Sequence, residues 1–539
     1  MKASAFRFKT TEPEESRPNP QSAIRNPQWI LPILLCLIYF LILAFLSRAH
    51  PFGTYATETD FYQYYAPDAA RIAAGQFSEN PFQGPGYPVL LALVAKLTGD
   101  VFIAGKWISV ISATLAVYLV FLLFSRLFGY WAGAGAQLIT MASGQFPVFA
   151  INATTDAFFL LLCCAVLVVF LGERIPLRWR MALAALLTGL AYLTRYNGLF
   201  LVAACLVGIV FINLFDQSRR ERWKLASLFV AVFILTASPW FYANWKHRGS
   251  PLYNANYLNI ATEFYPELAG GNVFQDGTRA LEKRFHSFGD VVRYDPKRMF
   301  TGYPLNLWES LKLSVTSDLL SQWVGWLALL GLVLALARRR TKPVTVVLIA
   351  GGLYLLLMAL SHWEARYYFF VMALYAGLAV YAVSGLFELA RSRGWLMHRA
   401  FALAPAALVL ALAGMSFAQS RREVQSFLAS HPTEVIGARD YILSTNPPPH
   451  SLRIVSRKPH LAYFTHQDWV FIPQFKSLDE LRAWLASNHV DYLAISAREL
   501  KERKELKPLG DPKAAPPWLK AAWVSTKPLY ILYRPEPMP

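Results

Sequence analysis

Charge is scarce in this chain and uneven in sign. Only 16% of its 539 residues are Asp, Glu, Lys or Arg, and 34 acids face 52 Lys and Arg, giving +18 at neutral pH. With 55% hydrophobic residues beside so little charge, a single soluble domain is excluded, because a water-facing surface could not be covered. Cysteine is sparse too. Cys36, Cys163, Cys164 and Cys205 all sit inside apolar runs, without the spacing or polar setting of a disulfide framework or metal site, and read as small hydrophobes. No Walker loop, CxxC pair, HExxH or Ser-His-Asp signature occurs, and no internal repeat.

What the chain has instead is long apolar stretches. Candidate spans are 29–46, 101–124, 130–146, 156–171, 181–194, 198–215, 225–243, 319–337, 344–361, 367–387 and 401–417. That is about eleven helices, each long enough or nearly so to cross a hydrocarbon layer of about 30 Å. A signal peptide competes for the first, but its apolar stretch exceeds an ordinary h-region and further spans follow, so it reads as an uncleaved anchor. Lys and Arg collect in alternate short loops, at 2–25, 126, 174–180, 219–224, 338–342 and 391–399, while the opposite short loops hold little beyond Arg195 and Arg366. By the positive-inside rule the amino terminus is cytoplasmic and the carboxyl-terminal segment lies outside a plasma or inner membrane. The same sorting accounts for much of the net charge as topology, so nucleic acid is not an expected partner.

The expected organisation is a disordered cytoplasmic tail (1–28), a membrane domain (29–419) with outer loops 48–100 and 244–318, and a small extracytoplasmic α/β domain (420–539). Within the last, 452–455, 469–472, 492–495 and 529–533 read as strands and 477–486 as a helix. In the first outer loop a short amphipathic helix is expected to start at Pro67 and stop at Gly75.

Acids and arginines at the outer ends of spans are the candidates for chemistry. Glu58 and Asp60, two residues apart, point the same way if the chain is extended. Asp156 opens a helix, where a carboxylate faces the positive end of the dipole; it is also what an ordinary first-turn acid would look like. Glu58 reads equally as a solvated loop charge. Arg195 and Arg366 either anchor to lipid headgroups or face inward and grip a phosphate, together with basic residues of loop 244–318 such as Arg284 and Arg293. Tyr62, Tyr65 and Tyr87 belong to an interfacial aromatic belt or stack on a sugar. His362 and Glu364 beside Arg366 are a thin donor set; a divalent cation is kept as an option, with no metal ligands assigned.

In order along the chain, an acid and aromatic-rich helix (Asp60, Tyr62, Tyr65, Ala69, Gly75), a Pro-Gly-Tyr-Pro segment (85–88), an acid opening a helix (Asp156), an LTRxxG turn (193–198), a PWxxxN span end (Pro239, Trp240, Asn244) and an ARYY motif (365–368) resemble polyprenyl-phosphate-sugar glycosyltransferases of the C-type (GT-C) fold. The likeness is to the protein O-mannosyltransferase and lipid A aminoarabinose transferase superfamily, in its divergent bacterial members, over residues 29 to 420. It implies a polyprenyl-phosphate-linked sugar donor, a glycan, lipid or protein acceptor, and transfer outside the membrane with inversion. The catalytic acid of the first loop carries over to Asp60 and the second outer acid to Asp156. Two departures stand out: no Lys lies near Gly84, and Thr59 separates the two first-loop acids. A transporter or flippase of lipid-linked sugars is the rival class, since charges within membranes also mark translocation paths.

Overall fold

In the computed structural model the described residues are 29–55, 57–269, 280–316, 319–338, 341–394 and 403–536. The polar tail 1–28 lies outside them. The chain is an α-helical membrane protein with a small carboxyl-terminal α/β domain, and each predicted span is a helix or a pair of helical pieces. Among the described residues four helices are long and apolar enough to cross a bilayer alone: Ile30–Arg48, Val101–Phe128, Arg219–Arg248 and Ala365–Ser392. Val101–Phe128 spans 28 residues, about 42 Å. Asp100 caps its start by accepting from the Ile103 N–H at 2.7 Å.

Two of the other predicted spans are broken by the chain. The predicted span 130–146 is Tyr130–Met141 followed, after a turn at Gly144 (φ +44°), by Phe146–Ile151. The span predicted at 198–215 is a short α-helix, Leu199–Leu206, running into a π turn, Val207–Phe211. Such breaks are tolerated at membrane depth where the freed backbone is enclosed by protein. Ile30–Arg48 is the reverse case: it buries only Pro32, Tyr39 and Leu43, and turns Ile33, Leu37, Leu41 and Phe45 outward as a lipid-facing surface.

Phe369–Ser392 is the central post, buried over most of its first seventeen residues, Phe369 to Gly385. Small residues let its neighbours approach backbone to backbone: a Cβ at Gly331 of Gln322–Arg338 would collide with the Leu378 carbonyl oxygen, and one at Gly377 with the Phe124 ring.

The loop after the first helix is fixed from below by Glu58. This fully buried carboxylate accepts from His50 Nε2 at 2.8 Å, the Thr54 N–H at 2.9 Å and the Ala153 N–H at 2.9 Å. Burial alone would raise its pKa; the His50 charge and the three hydrogen bonds outweigh burial and hold it below the ordinary 4.5. Beyond Glu58 the chain turns helical through a π turn, Phe61–Tyr65, and Ala66–Ala73, so the helix begins earlier than Pro67; Gly75 (φ +74°) ends it.

The region 244–318, expected as a long outer loop, holds among its described residues a helical lobe of Asn256–Phe264, Phe288–Tyr294 and Pro296–Thr316. Leu258, Phe264, Tyr265, Leu281, Phe285 and Val291 give it a core of its own. Ala404–Ala429 runs through residue 420, the expected domain boundary, without a break. After it, strands β1 (Arg453–Ser456), β2 (Asp468–Phe471), β3 (Tyr492–Ser496), β4 (Leu519–Thr526) and β5 (Leu529–Pro535) form a sheet in the order β2-β1-β3-β5-β4. β1 is parallel to β2 and β3, and β5 is antiparallel to β3 and β4. Edge strand β4 was not expected; it is largely exposed and has no clean apolar alternation.

Gly331→Ala lowers the thermal unfolding midpoint in detergent, by about 2 kcal/mol of stability, while Gly352→Ala, with no atom within 4 Å of its Cβ, leaves it in place. Glu58→Gln costs about 3 kcal/mol. Because the Glu58 pKa is depressed on folding, its contribution is present above pH 4.5 and is lost as pH falls through the folded value, so the variant's acid-unfolding curve is flatter than the parent's.

Candidate functional site

Helical geometry separates the two first-loop acids. At about 100° per residue, side chains two apart on a helical turn point to nearly opposite sides, not to the same side as in extended chain. Glu58 therefore turns inward to its anchor, and Asp60 turns outward into a cleft that also holds Tyr65, Asp156, Arg195, Arg366 and Tyr367. Its empty volume is about 250 Å³, counting its open mouth.

Three of the four charged groups in the cleft have a close carboxylate or guanidinium partner. Asp156, the first residue of Asp156–Leu171, is 2% exposed at its side chain and receives Arg195 Nη1 at 2.5 Å. Arg195 follows Leu177–Thr194 in extended backbone, which swings its side chain back over the start of the neighbouring helix. Arg366 lies in a single 3-10 turn, Ala365–Tyr368, just ahead of the central post. Its Nε donates to Glu364 Oε2 at 2.5 Å, and its Nη2 lies 3.8 Å from Asp60 Oδ2. Burial would raise the Glu364 pKa, but hydrogen bonds and charge from His362 and Arg366 pull it down to about 2. Both guanidinium groups lie 5.0 Å from the centre of the Tyr367 ring. Asp60 is the most open of these acids, with 41% of its side chain exposed.

The three tyrosines divide. Tyr65 reaches the cleft and donates its hydroxyl to Gln83 Oε1. Tyr87 is fully buried behind it, ring centres 5.1 Å apart. Tyr62 faces the carboxyl-terminal domain: its oxygen accepts from the Gly53 N–H at 2.9 Å, and its ring lies 4.6 Å from both His460 and Tyr463. Arg284 and Arg293 are not brought to the cleft. Arg284 stacks on Tyr294 at 4.5 Å and Arg293 is exposed, both held in the helical lobe by its own packing.

Sequence reasoning passed over Thr57, Thr154 and Thr155, which line the cleft with neutral hydroxyls and carry no motif. Thr154 Oγ1 is buried without a partner, and Asn152 Nδ2 donates to Thr57 Oγ1 at 3.0 Å. Among the described residues no three His, Cys, Asp or Glu side chains are grouped so as to hold a metal ion.

Residues 81–242 match the family model described as dolichyl-phosphate-mannose-protein mannosyltransferase. No curated protein matches the chain in sequence. Among solved structures, the oligosaccharyltransferase of Archaeoglobus fulgidus in its apo form is similar at a TM-score of 0.58 and 14% identity, over 89% of this chain and 70% of that one. The same organism's AglB, solved with an inhibitory peptide and a dolichol-phosphate, gives 0.55 and 14% over 87% and 70%. ArnT from Cupriavidus metallidurans, solved with undecaprenyl phosphate, gives 0.54 and 15% over 94% and 98%. The chain thus has the membrane fold of the C-type glycosyltransferases, and its residues 81–242 carry the sequence pattern of the mannosyltransferase family.

Proposed function

We propose that this protein moves a sugar from a polyprenyl-phosphate donor to a hydroxyl of an acceptor on the outer side of the plasma or inner membrane, with inversion at the anomeric carbon. The observation that carries the reading is a single cleft in which an open carboxylate, Asp60, faces a guanidinium, Arg366, and adjoins the Asp156–Arg195 pair. The matched mannosyltransferase pattern and the lipid phosphates bound by AglB and ArnT support a donor of this class.

Asp60 is the general base. It takes the proton of the acceptor hydroxyl as that oxygen bonds to the anomeric carbon, and the bond from that carbon to the phosphate oxygen breaks with its electron pair going to the leaving polyprenyl phosphate. A phosphate leaving group needs no proton but gains negative charge, which Arg366 and Arg195 are placed to stabilise. Asp156 and Glu364 orient these two arginines. Tyr65 and the threonine hydroxyls line the path of the sugar. The hydrophobic bundle keeps the polyprenyl tail in lipid while the headgroup enters the cleft. Basic residues in alternate short loops support a cytoplasmic amino terminus, with the cleft and sheet domain outside.

Asp60→Asn lowers polyprenyl-phosphate release from the host's lipid-linked sugars by about 10²–10⁴-fold, with an unchanged unfolding midpoint. Unimpaired turnover in that variant would falsify the base assignment. Arg366→Met weakens the same reaction by about 10–100-fold, the loss of one charge-assisted contact. Mass spectrometry of surface glycans and lipids from cells with and without the gene identifies sugar and acceptor; identical profiles, with an intact lipid-linked pool, exclude the transferase reading.

A further inference from the structure

The chain leaves β1 to form β2 on one side and returns on the other as β3. Beyond the carboxyl ends of β1 and β3 the connecting segments diverge, and in α/β sheets this is where functional groups are presented. Those ends carry Arg457 and Lys458 after Ser456, and Arg498 and Glu499 after Ser496. Arg498 is exposed, whereas the β1 end of this edge packs on the first outer loop. Lys458 Nζ donates to Thr59 Oγ1 at 2.9 Å, and His460 Nε2 donates to the Thr54 carbonyl at 2.9 Å. Around them Tyr55 and Tyr62 pack on His460 with ring centres 4.8 and 4.6 Å away.

Of the three cations at this edge, two are neutralised within the domain: Arg457 by Glu499 and Arg498 by Glu502, each at 2.7 Å. Lys458 has no carboxylate within ion-pairing distance among the described residues; its partner is the hydroxyl of the residue next to Asp60. We propose that Lys458 is a positioning residue for Asp60, holding the Thr59 turn and placing a positive charge beside it from across the interface, so that the site is complete only with the carboxyl-terminal domain docked. This rests on Asp60 being the base.

Lys458 differs from a solvated lysine. Desolvation lowers its pKa to about 8, with Arg457 and Arg498 acting in the same direction and Asp60 and Glu499 opposing. Its charge is present below pH 8 and disappears as pH rises through that value. A neutral amine still donates a hydrogen bond to Thr59 but no longer offsets a carboxylate, so the electrostatic part of its role is separable by pH.

The test uses the full chain in nanodiscs, with polyprenyl-phosphate sugars extracted from the host membrane as donor, the host's envelope glycan and lipid extract as the source of acceptor hydroxyls, and polyprenyl-phosphate release as readout, from pH 6 to pH 10. The parent kcat is expected to fall above about pH 8. Lys458→Met drops kcat about tenfold at neutral pH, leaves donor KM in place and loses that alkaline fall; Lys458→Arg restores kcat and moves the fall above about pH 10, since a guanidinium stays charged. An unchanged pH profile in a folded Lys458→Met overturns the proposal, as does an alkaline fall that stays put in Lys458→Arg, which decides the matter if the Met variant does not fold. Asp60→Asn is run alongside: if it is unimpaired, the failure lies in the base assignment and not in Lys458.

Discussion

A buried carboxylate with both oxygens hydrogen-bonded fixes the loop on which the cleft is built. Glu58 joins the loop after the first helix to the backbone just ahead of Asp156–Leu171, through the Ala153 N–H, and to His50 at the end of the first span. A charge taken out of water is tolerable only if it is well hydrogen-bonded, and here three donors occupy three of its roughly four acceptor positions. The cost of misplacing it holds the loop in one position. Lys106, within Val101–Phe128, adds a second tie by donating to the carbonyls of Ser47 and His50 at 3.0 and 2.8 Å. Asp60, one helical half-turn further on, inherits that rigidity without sharing the burial.

The cleft is arranged so that its cations are spoken for without being cancelled. Arg195 and Arg366 each have a carboxylate on one side and the Tyr367 ring on another, which fixes the plane of the guanidinium and leaves part of its fork toward the cavity. Preorganised charge of this kind stabilises a developing anion without reorientation at the moment of reaction. The acids differ by environment: Asp156 and Glu364 are committed to arginines, while Asp60 keeps the greatest exposure and only a long contact of 3.8 Å.

The carboxyl-terminal domain meets the cleft wall rather than hanging free. Its contact surface mixes aromatic rings from Tyr55, Tyr62, His460 and Phe464 with hydrogen bonds to Thr54 and Thr59. Burial pulls the His460 pKa down to about 3, so the ring stays neutral at this junction and suits an apolar contact. The wall that carries Asp60 is therefore packed from beneath by membrane helices and from the side by a sheet domain.

How much of this was legible in the residues follows from the range of the forces involved. Composition and apolar run length determined the membrane class, the run of apolar helices and the presence of a small sheet domain, because burying apolar surface is a property of segments and needs no knowledge of neighbours. Span ends likewise marked Asp60, Asp156, Arg195 and Arg366, since charge beside hydrocarbon is rare enough to be noticed. The sequence could not separate Glu58 from Asp60, bring three threonines to one wall, turn Tyr62 away from the cleft, fold 256–269 and 280–316 into a helical lobe, or carry Lys458 to Thr59. Those outcomes depend on side-chain direction and on contacts between segments as far as 399 positions apart. Only the tertiary structure decides them, because the free energy of a directed polar contact is set by where its partner lies in space.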